Sequence, residues 1–433
     1  MASVAAIPCD CLLKVVYHPG TVTPVIQPIS VALYLAGVMC VLACSAPSPS
    51  AVRAPDMIHA DTETADASAY VLPAPANAYG LQAPEPLGEQ EEIIWQKVVA
   101  LLGDGCVLDG SLTRAARKHA VDLTENPLMT QENGIDYLRF ALRYFGSTDY
   151  LVSPAVYELP DNGDKALRQI LGNASDEWTH CGVGVHDANG QARVVFIAAT
   201  RMLSLNAIPV QPTPGKPIDV RGKLNTDGAS AVEAFLEQPN GGVQQLNAFV
   251  VGKARFQVSV PIGDAGKYKL ELQVTRPSGP ETALLVPLYV GIDVETRPSV
   301  FPIEHDVVEN PGNTLTVLLN RIRQNMGLSP LKRDTRLDGV ARKHCEDMVA
   351  SSTFGHFSTR SGKLSDRLQA QGLYPRLSAE NIGLSSSMMR VHHNLMQSPS
   401  HKIKVLTPEF THLGLGIVSR NGQTMVTQIF AAW

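Results

Sequence analysis

Two imidazoles and a carboxylate that meet in a cleft can hold a divalent cation such as Zn²⁺, or move a proton near neutral pH. The C-terminal third of this chain carries those residue types in three short stretches: His356 in FGHFS, Glu380 in AENIG and His401 in SPSHK. Ser358 and Ser400 lie close to the two histidines, but neither sits in the strand–turn–helix context that sharpens a serine nucleophile. Other histidines have plainer readings. His119 and His344 fall on the apolar faces of helices, and His180 and His412 open strands beside Gly-x-Gly. No helix follows GVG or GLG there, so these glycines do not make a dinucleotide loop. Of the pair His392-His393, one member can face a cleft while the other meets solvent.

The 433 residues exceed what one hydrophobic core usually serves, so several domains are expected. A hydrophobic fraction of 44% with 18% charged residues is that of a folded globular chain. The net charge of -5 and the lack of any Lys/Arg run exclude nucleic acid as the main partner. ISVALYLAGVMCVLAC, Ile29 to Cys44, is a nearly unbroken apolar run. It is short for a spanning helix, which needs about 20 residues, and suits a signal-peptide core. Its last residues, VLAC, resemble a lipobox in which Cys44 receives the lipid; an uncleaved anchor is the other reading. Both make the chain exported, with the membrane as partner: a lipoprotein of the bacterial outer or cytoplasmic membrane, or an extracellular protein. Residues 1–44 are then a leader, and 45–88, rich in Pro, Ala and Ser, a disordered tether. Cys106, Cys181 and Cys345 show no metal spacing. A Cys106–Cys181 disulfide and buried free thiols are both open.

The chain repeats itself. AARKHAVDL, Ala115 to Leu123, matches VARKHCEDM, Val340 to Met348, at an offset of 225 (341 − 116). Thr179-His180 and Thr411-His412 match at 232 (411 − 179). Two anchors in the same order imply that a domain of roughly 120 residues occurs twice. In the second copy, Leu315, Leu318, Leu319 and Ile322 recur at helical spacing, as do Leu337, Ala341, His344 and Met348. THLGLGIVS and TMVTQIFAA are strands joined by the Asn421-Gly422 turn. Helices first and an antiparallel sheet last predict an α+β layered fold. Between the copies, KYKLELQV alternates Tyr268, Leu270, Leu272 and Val274 with Lys267, Lys269, Glu271 and Gln273, a half-buried strand. Asp264-x-Gly266-x-Tyr268 before it reads as a tyrosine corner, so an Ig-like β-sandwich is expected there.

The order LLNRIRQNMGLSPL, ARKHCEDMV, FGHFSTRSGK, AENIG, SPSHKIKVL, FTHLGLGIV resembles the CAP superfamily (SCP/PR-1-like) in its bacterial form, over about Asn313 to Trp433. The resemblance implies an α-β-α sandwich with a shallow cleft. It brings His356, Glu380 and His401 to that cleft, with Asn381 as a structural hydrogen-bonder. The second cleft acid of the fuller eukaryotic form would fall near Ser398, so the tetrad is reduced to three. The architecture is then two CAP-like α-β-α domains (89–207, the first degenerate, and 299–433) flanking an Ig-like β-sandwich (208–298). The first copy holds no histidine between His119 and His180, so it keeps the fold and loses the site. Three functions stay open: binding of a hydrophobic, lipid or cell-wall ligand in the second cleft, metal-dependent hydrolysis with Zn²⁺ on His356, His401 and Glu380, and a purely structural surface role. No residue supplies a nucleophile or dedicated base, which favours binding over catalysis.

Overall fold

The computed structural model describes residues 72–433, apart from 81, 127–132, 160–166, 169–170, 172–176, 189, 226–228, 252–253, 278 and 302–309, together with the strand Ile58–His59. The apolar run and Cys44 lie outside the described residues.

The C-terminal unit begins where Asn310 caps the helix Pro311–Asn325, its side chain accepting from the Asn313 N–H. Pro311 sits at the first helical position, where its missing N–H would have been unbonded anyway. Asp334 caps the next helix, Thr335–Ser351, in the same way. The sheet runs in the order Lys332–Arg333, His412–Arg420, Gln423–Ala432, Leu377–Ser385; the first pairing is parallel and the others antiparallel. Asn421 and Gly422 turn the hairpin with φ of 51° and 72°, the left-handed backbone that Asn-Gly tolerates. One face of the sheet packs on Leu337, Val340, Ala341 and Met348. The other packs on Leu315, Leu319, Val391, Leu395 and Val405 from three further helices. Helix, sheet and helix make three layers.

The N-terminal unit repeats that plan. Its sheet order is Val107–Leu108, His180–Ala188, Gln191–Ala199, Val152–Leu159, again with one parallel and then antiparallel pairings. His180 stands opposite Ala199 as His412 stands opposite Ala431. Asp109 caps the helix Gly110–Glu125 as Asp334 caps its counterpart. The Gly-x-Gly pairs explain themselves here. A Cβ on Gly184 would lie 2.2 Å from the Arg117 backbone nitrogen, and one on Gly416 would lie 2.3 Å from the Ala341 carbonyl carbon. Helix and strand touch backbone to backbone, so no side chain fits. Cys106 and Cys181 form a disulfide with their Cα atoms 5.7 Å apart. At the same offsets the C-terminal unit has Leu331 and Leu413, both buried.

Between the two units lie two four-stranded antiparallel sheets that share one core. One is ordered Val243–Leu246, Ala231–Glu237, Gly266–Arg276, Gly279–Val290; the other Ala248–Val251, Arg255–Val260, Ile218–Leu224, Leu203–Leu205. The Tyr268 hydroxyl donates to the Asp264 carbonyl at 2.9 Å and accepts from the Gly263 N–H at 3.3 Å, as a tyrosine corner requires. The sandwich therefore starts at Leu203 rather than at 208.

A second boundary also moves. The stretch read as a tether through residue 88 is docked on the folded units at several of its described residues. Ala78–Tyr79 pairs with Ile208–Pro209, and Tyr79, 1% exposed, joins the sandwich core and donates to the Pro287 carbonyl at 2.8 Å. Glu85 bridges Arg114 and Arg117 at 2.7 and 3.2 Å, and Ile58–His59 pairs with Ser299–Val300. The composition lacks the apolar residues for a core of its own, but docking on an existing core needs only an anchor such as Tyr79.

Two glycine classes follow. Gly184→Ala and Gly416→Ala should each cost about 3 kcal/mol through forced helix–sheet separation. Gly339→Ala, in the second turn of Thr335–Ser351 with nothing within 4 Å of the new Cβ, should stabilise by about 0.5–1 kcal/mol. Urea unfolding of the three variants beside the parent checks the ordering.

Candidate functional site

Glu380 lies on the edge strand Leu377–Ser385, and its neighbour Asn381 donates to the His401 carbonyl at 3.1 Å and to Gln428 Oε1 at 3.2 Å. That pair of bonds ties the strand to the helix Pro399–Leu406, which carries His401 in its first turn. His356 comes from the loop after Thr335–Ser351. Its Nδ1 is 2.9 Å from Glu380 Oε1. The other carboxylate oxygen accepts from Arg367 at 2.7 Å, and Arg367 and Glu380 are both only 5% exposed.

Arg367 was not legible as a site residue. It donates to the His356 carbonyl at 3.2 Å and lies 2.9 Å from His344 Nδ1. His344 reaches the Gly355 carbonyl at 3.1 Å and stands 3.8 Å from Glu380. The packing histidine of the sequence is thus also the back wall of the site. Burial works to raise the Glu380 carboxyl, yet the hydrogen bond and charge of His356, with Arg367 and His344, hold it below its ordinary value. Burial pushes His401 well below the usual imidazole value, helped by the Lys404 and His356 charges. Lys404 is itself lowered by burial.

His356 and His401 line one cavity of about 40 Å³ with Ile382 and Lys404. It is not the open shallow cleft that was expected. Gln273, Pro280 and Thr282 of the sandwich roof it, and Leu151 of the N-terminal unit closes one side. The alternating strand Gly266–Arg276 explains the difference. Past Lys267 and Lys269 its polar face turns away from solvent: Glu271 is fully buried and Gln273 is 6% exposed, both against the C-terminal unit. Leu384 and Met388 are buried in separate core clusters and do not line the cavity. His392 and His393 do not line the cavity; burial lowers both to about 4, and His393 stacks on Phe301 at 4.8 Å. Ser358 is tied to Asp347 and to the N–H groups of Arg360 and Ser361, so it is no nucleophile.

The three-ligand Zn²⁺ set does not fit, because both Glu380 oxygens are engaged, one by His356 and one by Arg367. Among the described residues no group of three or more His, Cys, Asp or Glu is arranged around a metal. What fits better is a carboxylate behind a histidine. With its Nδ1 on Glu380, His356 keeps Nε2 clear of that carboxylate, the arrangement by which a second sphere orients a ligating imidazole. No residue described hydrogen-bonds the Nε2 of either His356 or His401.

A family model described as the Cysteine-rich secretory protein family (CAP) matches residues 317–430. Those residues form a CAP domain. The uncharacterized protein YkwD of Bacillus subtilis (strain 168) is 34% identical over 121 residues, 28% of this chain and 44% of its own length. The uncharacterized membrane protein YlbC of the same organism is 33% identical over 101 residues, 23% of this chain and 29% of its own. The chain thus spans less than half the length of these two relatives. Among solved structures, an extracellular protein containing a SCP domain from Bacillus anthracis str. Ames is 18% identical, with 52% of this chain and 88% of that one covered, at a TM-score of 0.27. No described helix is long and apolar enough to cross a membrane.

The depressed groups set the pH response of the CAP domain. His401 has a folded value below its unfolded 6.5, so its contribution is complete above that pH and is lost as pH falls toward the folded value. Melting temperature should therefore fall between pH 7 and 5, and His401→Gln should flatten that fall. An unchanged slope in the variant would remove His401 as the cause.

Proposed function

We propose that this is an exported protein of the bacterial envelope, anchored through lipid on Cys44, whose CAP domain binds a small ligand between His356 and His401. The ligand is a divalent cation, Zn²⁺ by donor type, or a species of similar size with a hydrogen to donate. The observation that carries the reading is the roofed cavity of about 40 Å³ with two imidazoles on its wall. At about 10–15 Å³ per water, that space takes roughly three waters or one partly hydrated ion, not a lipid tail or a peptide. Export is supported by the apolar run before Cys44 and by the Cys106–Cys181 disulfide, which persists in oxidising compartments.

Binding is favoured over hydrolysis by where the polar groups are spent. Glu380 is locked between His356 and Arg367, and Ser400 and Thr282 both donate to a buried carboxylate. The Cys345 thiol is buried and pushed up to about 12. A bound cation would be held by the two imidazoles, with Glu380 orienting His356, and would supply Lewis acidity to whatever further group approaches. The N-terminal unit is in this reading a degenerate second CAP-like copy kept as a scaffold. Its shared sheet order, capping aspartates and glycine contacts support that, and the tyrosine corner supports an Ig-like origin for the sandwich.

Calorimetric titration of the whole protein with Zn²⁺ tests the reading. One ion should bind, and binding should vanish in His356→Ala and His401→Ala. Glu380→Gln should weaken it by about 10–100-fold, the usual loss when an orienting partner goes. Absence of binding by the parent would reject the cation reading.

A further inference from the structure

We infer that Glu271, which belongs to the sandwich, is the second acid of the CAP cleft, acting as a positioning residue that sets the tautomer of His401 through Ser398. The sequence places Ser398 where the family's second acid would stand. Ser398 Oγ lies 2.7 Å from His401 Nδ1 and 2.9 Å from Glu271 Oε2. Glu271 is fully buried, yet its two oxygens are met by donors on every side. The Ser400 N–H comes within 2.7 Å, the Ser400 hydroxyl within 2.9 Å, and the Thr282 hydroxyl within 2.7 Å. Gln273 adds a longer bond at 3.4 Å and holds Ser400 at 2.7 Å.

Proton counting then leaves one arrangement. A carboxylate only accepts, so the single hydroxyl proton of Ser398 points to Glu271. The Ser398 oxygen then accepts: Ser400 Oγ, 3.0 Å away, spends its own proton on Glu271, which leaves His401 Nδ1 as the donor. His401 is therefore the Nδ1–H tautomer, with its Nε2 lone pair free. His356 reaches the same state by donating Nδ1–H to Glu380. One acid comes from the CAP domain and one from 127 residues upstream of Ser398, and together they present two lone pairs to one cavity. The Glu271 carboxylate also takes the Ser400 N–H at the start of Pro399–Leu406, where Pro399 has no N–H to offer. The cleft is complete only when the sandwich is docked.

The consequence for binding rests on the proposed cation reading, but the tautomer does not, so the two can fail separately. In the whole protein labelled with ¹⁵N-histidine at pH 7, two-bond ¹H–¹⁵N spectra report the tautomer, with His401→Gln identifying the signals. The parent should show His401 as Nδ1–H; finding it as Nε2–H overturns the inference. Ser398→Ala removes the acceptor, and Glu271→Gln replaces one acceptor oxygen by a donor. Both should move His401 toward the Nε2–H form that free imidazole prefers, and both should lower Zn²⁺ affinity about tenfold or more. If both fold with reduced melting temperature but an unchanged tautomer, Glu271 is a packing residue and the inference falls. If the parent shows Nδ1–H and binds no Zn²⁺, the inference stands and the cation reading is the one rejected.

Discussion

Burying a carboxylate without partners would cost several kcal/mol, and the Glu271 side chain has no water to turn to. Its donors come from two units: Thr282 and Gln273 from the sandwich, Ser398 and Ser400 from the CAP domain. Neither unit alone can satisfy it, so the interface is specified to the level of single atoms. Lys269 to Gln397 at 2.8 Å and Lys402 to Glu237 at 2.9 Å extend the same contact on either side. Once the strand Gly266–Arg276 is seated there, the neighbouring strand must lie over the cleft, and Pro280 and Thr282 become its roof. The size of the cavity, its chemistry and the ligands it admits all follow from that docking.

The N-terminal unit closes the assembly. Arg390, at the start of a CAP helix, pairs with Asp136 at 2.9 Å, and the same carboxylate accepts from the Phe301 N–H at 3.2 Å. Arg390 also lies over the Phe301 ring at 5.3 Å, which shields the pair from solvent. Within the unit, Arg201 forks between Asp149 and Asp109, so the capping aspartate of its main helix is itself fixed from behind. This unit, which has no histidine between His119 and His180, places one residue on the cavity wall, Leu151.

Local patterns carried much of this. The spacing of Leu315, Leu318 and Leu319, the Asn421-Gly422 turn and the alternation of KYKLELQV depend on neighbours along the chain, and each appears where it was read. The Arg-Lys-His and Thr-His echoes correspond to two sheets of the same order because a helix that must touch a strand at Gly-x-Gly leaves little freedom in between. The CAP resemblance brought His356, Glu380 and His401 to one place. It could not reveal Arg367, since an arginine in a short helix carries no signal until the carboxylate it neutralises is known to be buried beside it.

What the sequence determined by itself, then, was many of the local elements, the CAP match of the last third and the motif positions of His356, Glu380 and His401, because these rest on period, turn chemistry and motif order. Tertiary structure decided what those residues face. Alternation tells which side of a strand is polar but not what covers it, so Glu271 looked like a solvent residue and proved to be an interior one. The same limit hid the packing of Tyr79 and the closing of the cleft. Burial by a partner unit is a property of surfaces brought together across more than a hundred residues, and no local period records it.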